Sequence, residues 1–298
     1  MEYYFDYFLK QNNVRKLSFP LTMQFEFMEQ CNLKCPYCYN NSSTNPIEKN
    51  FEMNKWTKLF YEIRKSGGIF QCILSGGEPL IYYNQIFELI KGLHEDGTGF
   101  VMITNGTLLN EKIVKRMNAY RWFWIQVSLD SYIAEKHDRI RGMTGAFNKI
   151  TNGIELLVNN NLPVTISTVI TPENLNDIEG IIAYAIKHQV NSLLLSPVLP
   201  VGRAQSNNDL ILDKNQLKFF KNKVKYYSEK YTKIHIKLAA DYSDYIVGQK
   251  KYKSTGLIVR PNGDVKIDCL SDEIIGNAFS ENIKEIWADY LRKEDMEP

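Results

Sequence analysis

The chain has 298 residues, 44% of them hydrophobic and 12% aromatic, enough for one large domain, or one domain with an appendage, around a substantial core. Its 36 basic and 34 acidic residues nearly cancel, which removes any global electrostatic pull toward nucleic acid. No run of 18 apolar residues spans a membrane, and the aromatic, mixed-charge start, Met1 to Lys10, lacks the basic and apolar regions of a signal peptide. Five cysteines, an odd number, argue against a disulfide scaffold; free thiols fit a reducing, cytoplasmic setting.

An apolar β-type run covers residues 21–28. Directly after it stand three cysteines in eight residues, Cys31-Asn-Leu-Lys-Cys35-Pro-Tyr-Cys38. The C-x3-C-x2-C spacing lets one tight loop aim three thiolates at a single point. Three is one fewer than a closed zinc site or a fully protein-ligated iron–sulfur cube takes. A [4Fe–4S] cluster here would keep one iron open for chemistry. Zinc and coincidence remain alternatives at this point, although a zinc ion needs a fourth ligand and His94, His137, His188 and His235 all lie far along the chain.

Beyond the loop, short β-type runs alternate with helical stripes. Trp56, Leu59, Phe60 and Ile63 recur at helical spacing, followed by a strand at 69–74 and a helix through Ile86, Leu89, Ile90 and Leu93. Strand 100–104 leads to Ile113, Val114 and Met117; strand 122–129 leads to Phe147, Ile150, Ile154 and Leu157. Strand 164–170 precedes Ile178, Ile181, Ile182, Ala185 and Ile186, and a sixth strand covers 192–196. Six β-α repeats imply parallel strands with right-handed crossovers, in an open doubly wound sheet or a partial barrel. Ligands gather at the C-terminal ends of such strands. There the unusual residues fall: Cys31 after strand one, Ser75-Gly76-Gly77-Glu78-Pro79 after strand two, Thr104-Asn105-Gly106 after strand three, and Ser128 and Asp130 closing strand four.

Past residue 200 the rhythm changes. A helix from about Lys214 to Tyr231 leads to a hairpin, in which Leu257–Arg260 and Val265–Asp268 flank the turn Pro261-Asn262-Gly263-Asp264. A last amphipathic helix carries Ile283, Ile286, Trp287 and Tyr290. The expected organisation is an N-terminal extension (1–20), a partial (β/α)6 TIM-like barrel (21–205), a helical connection (206–235) and a small α+β C-terminal cap (236–298).

The cysteine loop together with Gly76-Gly77-Glu78-Pro79 resembles the radical S-adenosylmethionine (radical SAM) superfamily. Thr104 to Leu109, Val127 to Ser131, His137 to Gly142, Pro200 to Ala204, Arg260 to Val265, Ile275 to Asn277 and Ile283 to Trp287 resemble its SPASM/twitch branch, over about residues 20–290. The resemblance implies that Cys31, Cys35 and Cys38 ligate three irons of one [4Fe–4S] cluster while S-adenosylmethionine chelates the fourth. Its reductive cleavage gives a 5′-deoxyadenosyl radical, which takes a hydrogen atom from substrate; the protein positions and shields that chemistry. Glu78, with the Gly76-Gly77 backbone, is implied to hold the methionyl ammonium. Tyr37 is assigned to the adenine or to loop packing, and Ser128 to the methionyl carboxylate or ribose. Arg141 is assigned to that carboxylate, with Arg139 as rival. Thr168 and Asn174 are further cofactor candidates; Asn105 is a cofactor contact or a turn residue.

The SPASM branch usually carries up to seven more cysteines in its C-terminal region, and this chain has only Cys269 there. One thiol cannot hold a cluster, so the cap is expected to be degenerate and free of auxiliary clusters. Cys269 has two readings: a buried small hydrophobe, or a hydrogen donor to a substrate radical, as in the peptide epimerases of this superfamily. Cys72 reads as core packing. Many relatives modify ribosomal peptides, so the leading expectation is a radical enzyme acting on a peptide, by epimerisation or cross-linking, with a flavodoxin or ferredoxin as reductant. A small-molecule biosynthetic oxidoreductase or isomerase comes second. A non-catalytic iron–sulfur or zinc-binding protein is the alternative of another class.

Overall fold

The computed structural model describes residues 17–44, 51–239, 255–269 and 272–294. Strands β1 (Thr22–Glu26), β2 (Gln71–Ser75), β3 (Gly99–Thr104), β4 (Trp122–Ser128), β5 (Val164–Ile170), β6 (Ser192–Pro197) and β7 (His235–Leu238) lie side by side in chain order, all parallel. Beyond β1 the sheet continues through β8 (Gly256–Val259), which pairs with β1 in parallel, then β9 (Asp264–Lys266) and β10 (Gly276–Asn277), both antiparallel. The ten strands run β10-β9-β8-β1-β2-β3-β4-β5-β6-β7, so β7 and β10 are edges and the sheet does not close. The expected hairpin is present, and it is an extension of the barrel sheet itself.

The helices are α1 (Met53–Lys65), α2 (Tyr83–Glu95), α3 (Glu111–Met117), α4 (Ala134–Arg141), α5 (Ala146–Asn159), α6 (Ile178–Lys187), α7 (Lys214–Lys230) and α8 (Ile283–Glu294). Local chemistry sets several starts. Asn110 accepts from the Ile113 N–H at the start of α3, and Asp213 with Gln216 forms a capping box on α7.

Alternation along the strands separates the two faces. Met23, Phe25, Ile125, Val127, Ile166, Leu193, Leu195, Leu257 and Val259 belong to the core under the helices. That face is aromatic near β1, with Phe25 and Phe60 centroids 4.7 Å apart and Phe27 and Trp56 4.9 Å apart. Each such ring contributes about 1.5–3 kcal/mol by leaving water. On α8, Trp287 is fully buried and donates its indole N–H to the Leu17 carbonyl at 2.8 Å. Gln24, Glu26, Gln126, Ser167, Ser196 and Arg260 fall on the opposite face, the concave interior of the open barrel. Because β1–β7 run one way, their C-terminal ends share one rim, which carries the site.

Candidate cluster and cofactor site

The cysteine loop leaves β1 and is pinned from several sides. Cys31 N–H donates to Ser43 O at 2.9 Å, and Cys38 N–H returns to Cys35 O at 3.2 Å. Arg203, after β6, donates from Nε to Cys35 O (2.7 Å) and from Nη1 to Ser42 O (2.8 Å), while its own N–H bonds Cys38 O (3.0 Å). Gly202 precedes it with φ +56°, and a Cβ there would lie 2.3 Å from Tyr39 O, so only glycine lets this loop cross the cysteine loop.

Cys31 and Cys35 are buried with Leu33, against Tyr37, Cys38 and Met143. Burial pushes the Cys31 thiol up to about 12, with the Glu78 carboxylate adding to the rise. Burial also raises Cys35, against the pull of Arg141. Two sulfurs receive side-chain N–H groups: Asn105 Nδ2 lies 3.7 Å from Cys31 Sγ, and Arg141 Nη1 3.7 Å from Cys35 Sγ. Among the described residues, no three His, Cys, Asp or Glu side chains are close enough to share one metal ion. In a polynuclear cluster each thiolate takes its own iron and is deprotonated by it. The apolar pocket and the N–H groups facing sulfur fit such a group.

After β2, Gly76 has φ +124°, and a Cβ on Gly77 would lie 2.0 Å from Gln30 O. The paired glycines therefore admit the backbone leading into the cysteine loop, with Gly77 N–H on Met28 O (2.6 Å) and Glu78 N–H on Gln30 O (2.9 Å). Glu78 is fully buried and faces protein donors. It accepts from Leu80 N–H (3.1 Å), the Thr104 hydroxyl (2.7 Å) and Asn105 N–H (2.7 Å). Burial pushes its carboxyl up to about 7, against the opposing effect of those bonds.

After β4 stands a residue whose weight the sequence did not convey. Asp130, fully buried, takes Val169 N–H at 3.0 Å, the Tyr37 hydroxyl, and Arg141 Nε at 2.6 Å. The Arg141 guanidinium also sits over the Tyr37 ring, 5.5 Å from its centroid. Burial works against the charge on Arg141, but Asp130 holds its pKa well above the ordinary value. His137 accepts the Asp130 N–H through Nδ1, and burial pushes it down to about 4, which keeps the imidazole neutral. Arg141 is thus the arginine at the site, whereas Arg139 is exposed and pairs with Glu173.

Two sequence candidates turn elsewhere. Thr168 is fully buried on the helix-packed face of β5, its hydroxyl given to Leu129 O at 2.7 Å; its neighbour Ser167 faces the interior. Asn174 spends its amide on Asp130 O (2.9 Å), Val169 O (2.8 Å) and Thr171 N–H (2.8 Å), bracing the loop that carries Asp130. Asn105 does more than make a turn, since its side chain reaches a cysteine ligand. Ser128 ends β4 on the interior face, half-buried. Cys72 is fully buried in the core, as its place in a strand suggests.

Cys269 lies just past β9 and is exposed, unlike Cys72 in the core. Desolvation by the surrounding protein and then the charge of Glu26 push its thiol up to about 11. Glu26, 1% exposed at the end of β1, accepts from the Tyr39 hydroxyl (2.9 Å) and pairs with Arg260 Nη1 (3.2 Å). Glu26, Tyr39 and Arg203 were missed in sequence; Arg203 lies in the Pro200–Ala204 motif, a signal that pointed to it.

Residues 25–185, more than half of the chain, match the Radical SAM superfamily. An AdoMet-dependent heme synthase from Methanosarcina barkeri is 32% identical over 191 residues, 64% of this chain and 54% of that protein. A PqqA peptide cyclase from Rhizobium meliloti is 27% identical over 274 residues, 89% of this chain and 72% of the relative. The fold is similar to that of Streptococcus suis SuiB bound to its precursor peptide SuiA (TM-score 0.75, 17% identity, 94% of this chain and 67% of that one). SuiB bound to S-adenosylmethionine is also similar (TM-score 0.73, 16% identity, 94% of this chain and 68% of that one). No helix among the described residues is long and apolar enough to cross a membrane. With three cysteines on the loop after β1, the glycine-glutamate turn after β2 and the matched span joining them, this chain belongs to the Radical SAM superfamily.

Proposed function

We propose that this chain is a radical SAM enzyme that binds one [4Fe–4S] cluster through Cys31, Cys35 and Cys38 together with S-adenosylmethionine, and acts on a peptide, by epimerisation or cross-linking. The cluster and nucleotide supply, when bound, reductive cleavage to a radical that abstracts hydrogen from substrate. The residues of the chain hold and shield that chemistry. Arg203 and the Gly76-Gly77 crossing fix the loop that bears the thiolates. Glu78 locks the turns after β2 and β3, whose backbone would face the methionyl ammonium. Asp130 and Tyr37 hold Arg141 beside Cys35, where its cationic charge would suit the methionyl carboxylate. Ser128 adds a hydroxyl on the same interior face.

One observation carries the peptide reading: the interior face sets polar side chains on β1, β4, β5 and β6 beside the apolar Ile73, Val101, Ile103 and Leu194 of β2, β3 and β6. Gln24, Glu26, Gln126, Ser167 and Ser196 offer hydrogen bonds to peptide groups, and Arg260 adds a cation at the β8 end. The similarities to a peptide cyclase and to SuiB point the same way. A small-molecule reaction is the second reading, favoured by the 32% identity to a heme synthase. Cys269, exposed near Glu26, is proposed as the hydrogen donor, and a flavodoxin or ferredoxin as the reductant.

Anaerobic reconstitution tests this. The expected result is about four irons per chain, 5′-deoxyadenosine after reduction, and deuterium from D2O in a co-expressed precursor peptide, abolished by Cys269→Ala. Modification that survives Cys269→Ala removes that thiol from the reaction. Turnover of a small molecule with no peptide product favours the second reading.

A further inference from the structure

Asn105 follows β3, is 8% exposed, and sits in a closed ring of hydrogen bonds. Its Oδ1 accepts from Thr107 N–H (2.9 Å) and the Thr107 hydroxyl (2.6 Å). Its Nδ2 donates to Asn32 Oδ1 (2.9 Å), and Asn32 Nδ2 closes the ring on Thr107 Oγ1 (2.7 Å). Glu78 holds the Asn105 main-chain N–H at 2.7 Å. With Oδ1 committed to two donors, the amide cannot reverse. The second hydrogen of Nδ2 is therefore aimed at Cys31 Sγ, 3.7 Å away. Among the described residues, the other donor to this sulfur is the Leu33 main-chain N–H, at 3.4 Å, which no side-chain change removes.

We propose that Asn105 is a positioning residue that raises the reduction potential of the cluster through its hydrogen bond to the Cys31 sulfur. The inference rests on the cluster assignment proposed above. Reduction adds negative charge that spreads onto the ligand sulfurs. An N–H group facing one of them stabilises the reduced state more than the oxidised one, and more strongly in a water-poor pocket. Asn105 then lowers the reducing power needed to begin each turnover.

The experiment is an EPR-monitored redox titration of anaerobically reconstituted wild-type, Asn105→Ala and Asn105→Asp proteins, each assayed first for iron. Asn105→Ala removes the donor, and the midpoint is expected to fall by about 60 mV, a tenfold change in the redox equilibrium at 59 mV per decade for one electron. Asn105→Asp retains an acceptor for Thr107 but sets an anionic oxygen toward the sulfur, and its midpoint is expected to fall further. A purely structural role would reduce iron occupancy without moving the midpoint of the clusters that remain. Unchanged midpoints in iron-replete variants overturn the proposal, as does loss of iron from both variants, which would make Asn105 a retention residue. A wild-type protein without iron overturns the cluster assignment itself, a different and separately visible failure.

Discussion

Asp130 Oδ2 and Arg141 Nε stand 2.6 Å apart, the carboxylate fully buried and the guanidinium side chain 7% exposed. The pair joins the end of β4 to the last turn of α4, and Arg141 Nη1 extends it to the Cys35 sulfur. A buried pair gains little over apolar packing, but breaking one half strands a charge at about 3–5 kcal/mol. The two halves differ. Without Arg141, Asp130 retains Val169 N–H and the Tyr37 hydroxyl. Without Asp130, Arg141 loses its carboxylate partner. Asp130→Ala is therefore expected to cost about 3–5 kcal/mol in urea denaturation, and Arg141→Ala distinctly less. Equal losses would show that the hydrogen bonds around Asp130 do not compensate it.

Glu78 predicts a pH dependence. Its carboxyl titrates at about 7 in the folded chain against 4.5 for the unassociated group, because burial disfavours the charged form. The folded state therefore holds this proton longer than the unfolded state. Stability from this group is full below pH 4.5 and is lost as pH rises through 7, by about 3 kcal/mol at the high end. Glu78→Gln cannot titrate. It loses an acceptor for Asn105 N–H, so it is less stable than wild type at pH 5, and the gap narrows toward pH 8. Denaturation midpoints of both proteins across that range check this, and a constant gap would contradict it.

The six β-α units and the placement of the cysteine loop on their shared rim were legible because each strand is an apolar run and each helix repeats apolar residues at 3–4 spacing. Strand β7 was not, since His235-Ile-Lys-Leu offers only two apolar residues. Helix α4 was hidden because Ala134–Arg141 buries only His137, Ile140 and Arg141, with no apolar stripe to mark it. At the site, the ligands could be read because their spacing is their chemistry. Thr168 misled because side chains alternate across a strand, and a one-residue offset puts its hydroxyl on the wrong face. Glu26 was passed over, and Asp130 was placed at the end of strand four without a role, because a lone carboxylate in sequence does not reveal burial.

Arg203 should govern retention of the cysteine loop. Its guanidinium binds Cys35 O and Ser42 O across 168 and 161 residues of chain. Hydrogen bonds from a charged donor contribute about 1.5–3 kcal/mol each when buried, less here because the group is partly exposed. Arg203→Lys retains charge but cannot span two carbonyls with a planar fork. Both Arg203→Lys and Arg203→Ala are expected to lose iron faster than wild type after dilution into chelator, with Ala the faster. Iron loss at the wild-type rate in Arg203→Ala would mean the remaining loop contacts suffice.

The last prediction concerns how the C-terminal strands are tied to the barrel. Arg260 lies one residue past β8 and reaches Glu26 at the end of β1, where Tyr39 (2.9 Å) and Gln24 Nε2 (3.3 Å) also meet the carboxylate. The Glu26 side chain is 1% exposed and that of Arg260 is 25% exposed. Arg260→Met strands the buried carboxylate, but two neutral donors and nearby solvent soften the loss to about 2–3 kcal/mol. Glu26→Gln in the same background removes the stranded charge while retaining an acceptor for Tyr39, so the double variant is expected to be more stable than Arg260→Met alone. A double-mutant cycle measures that coupling. If the double variant instead loses the sum of the two single changes, Glu26 and Arg260 act independently, and main-chain pairing of β8 with β1 is what holds this part of the sheet.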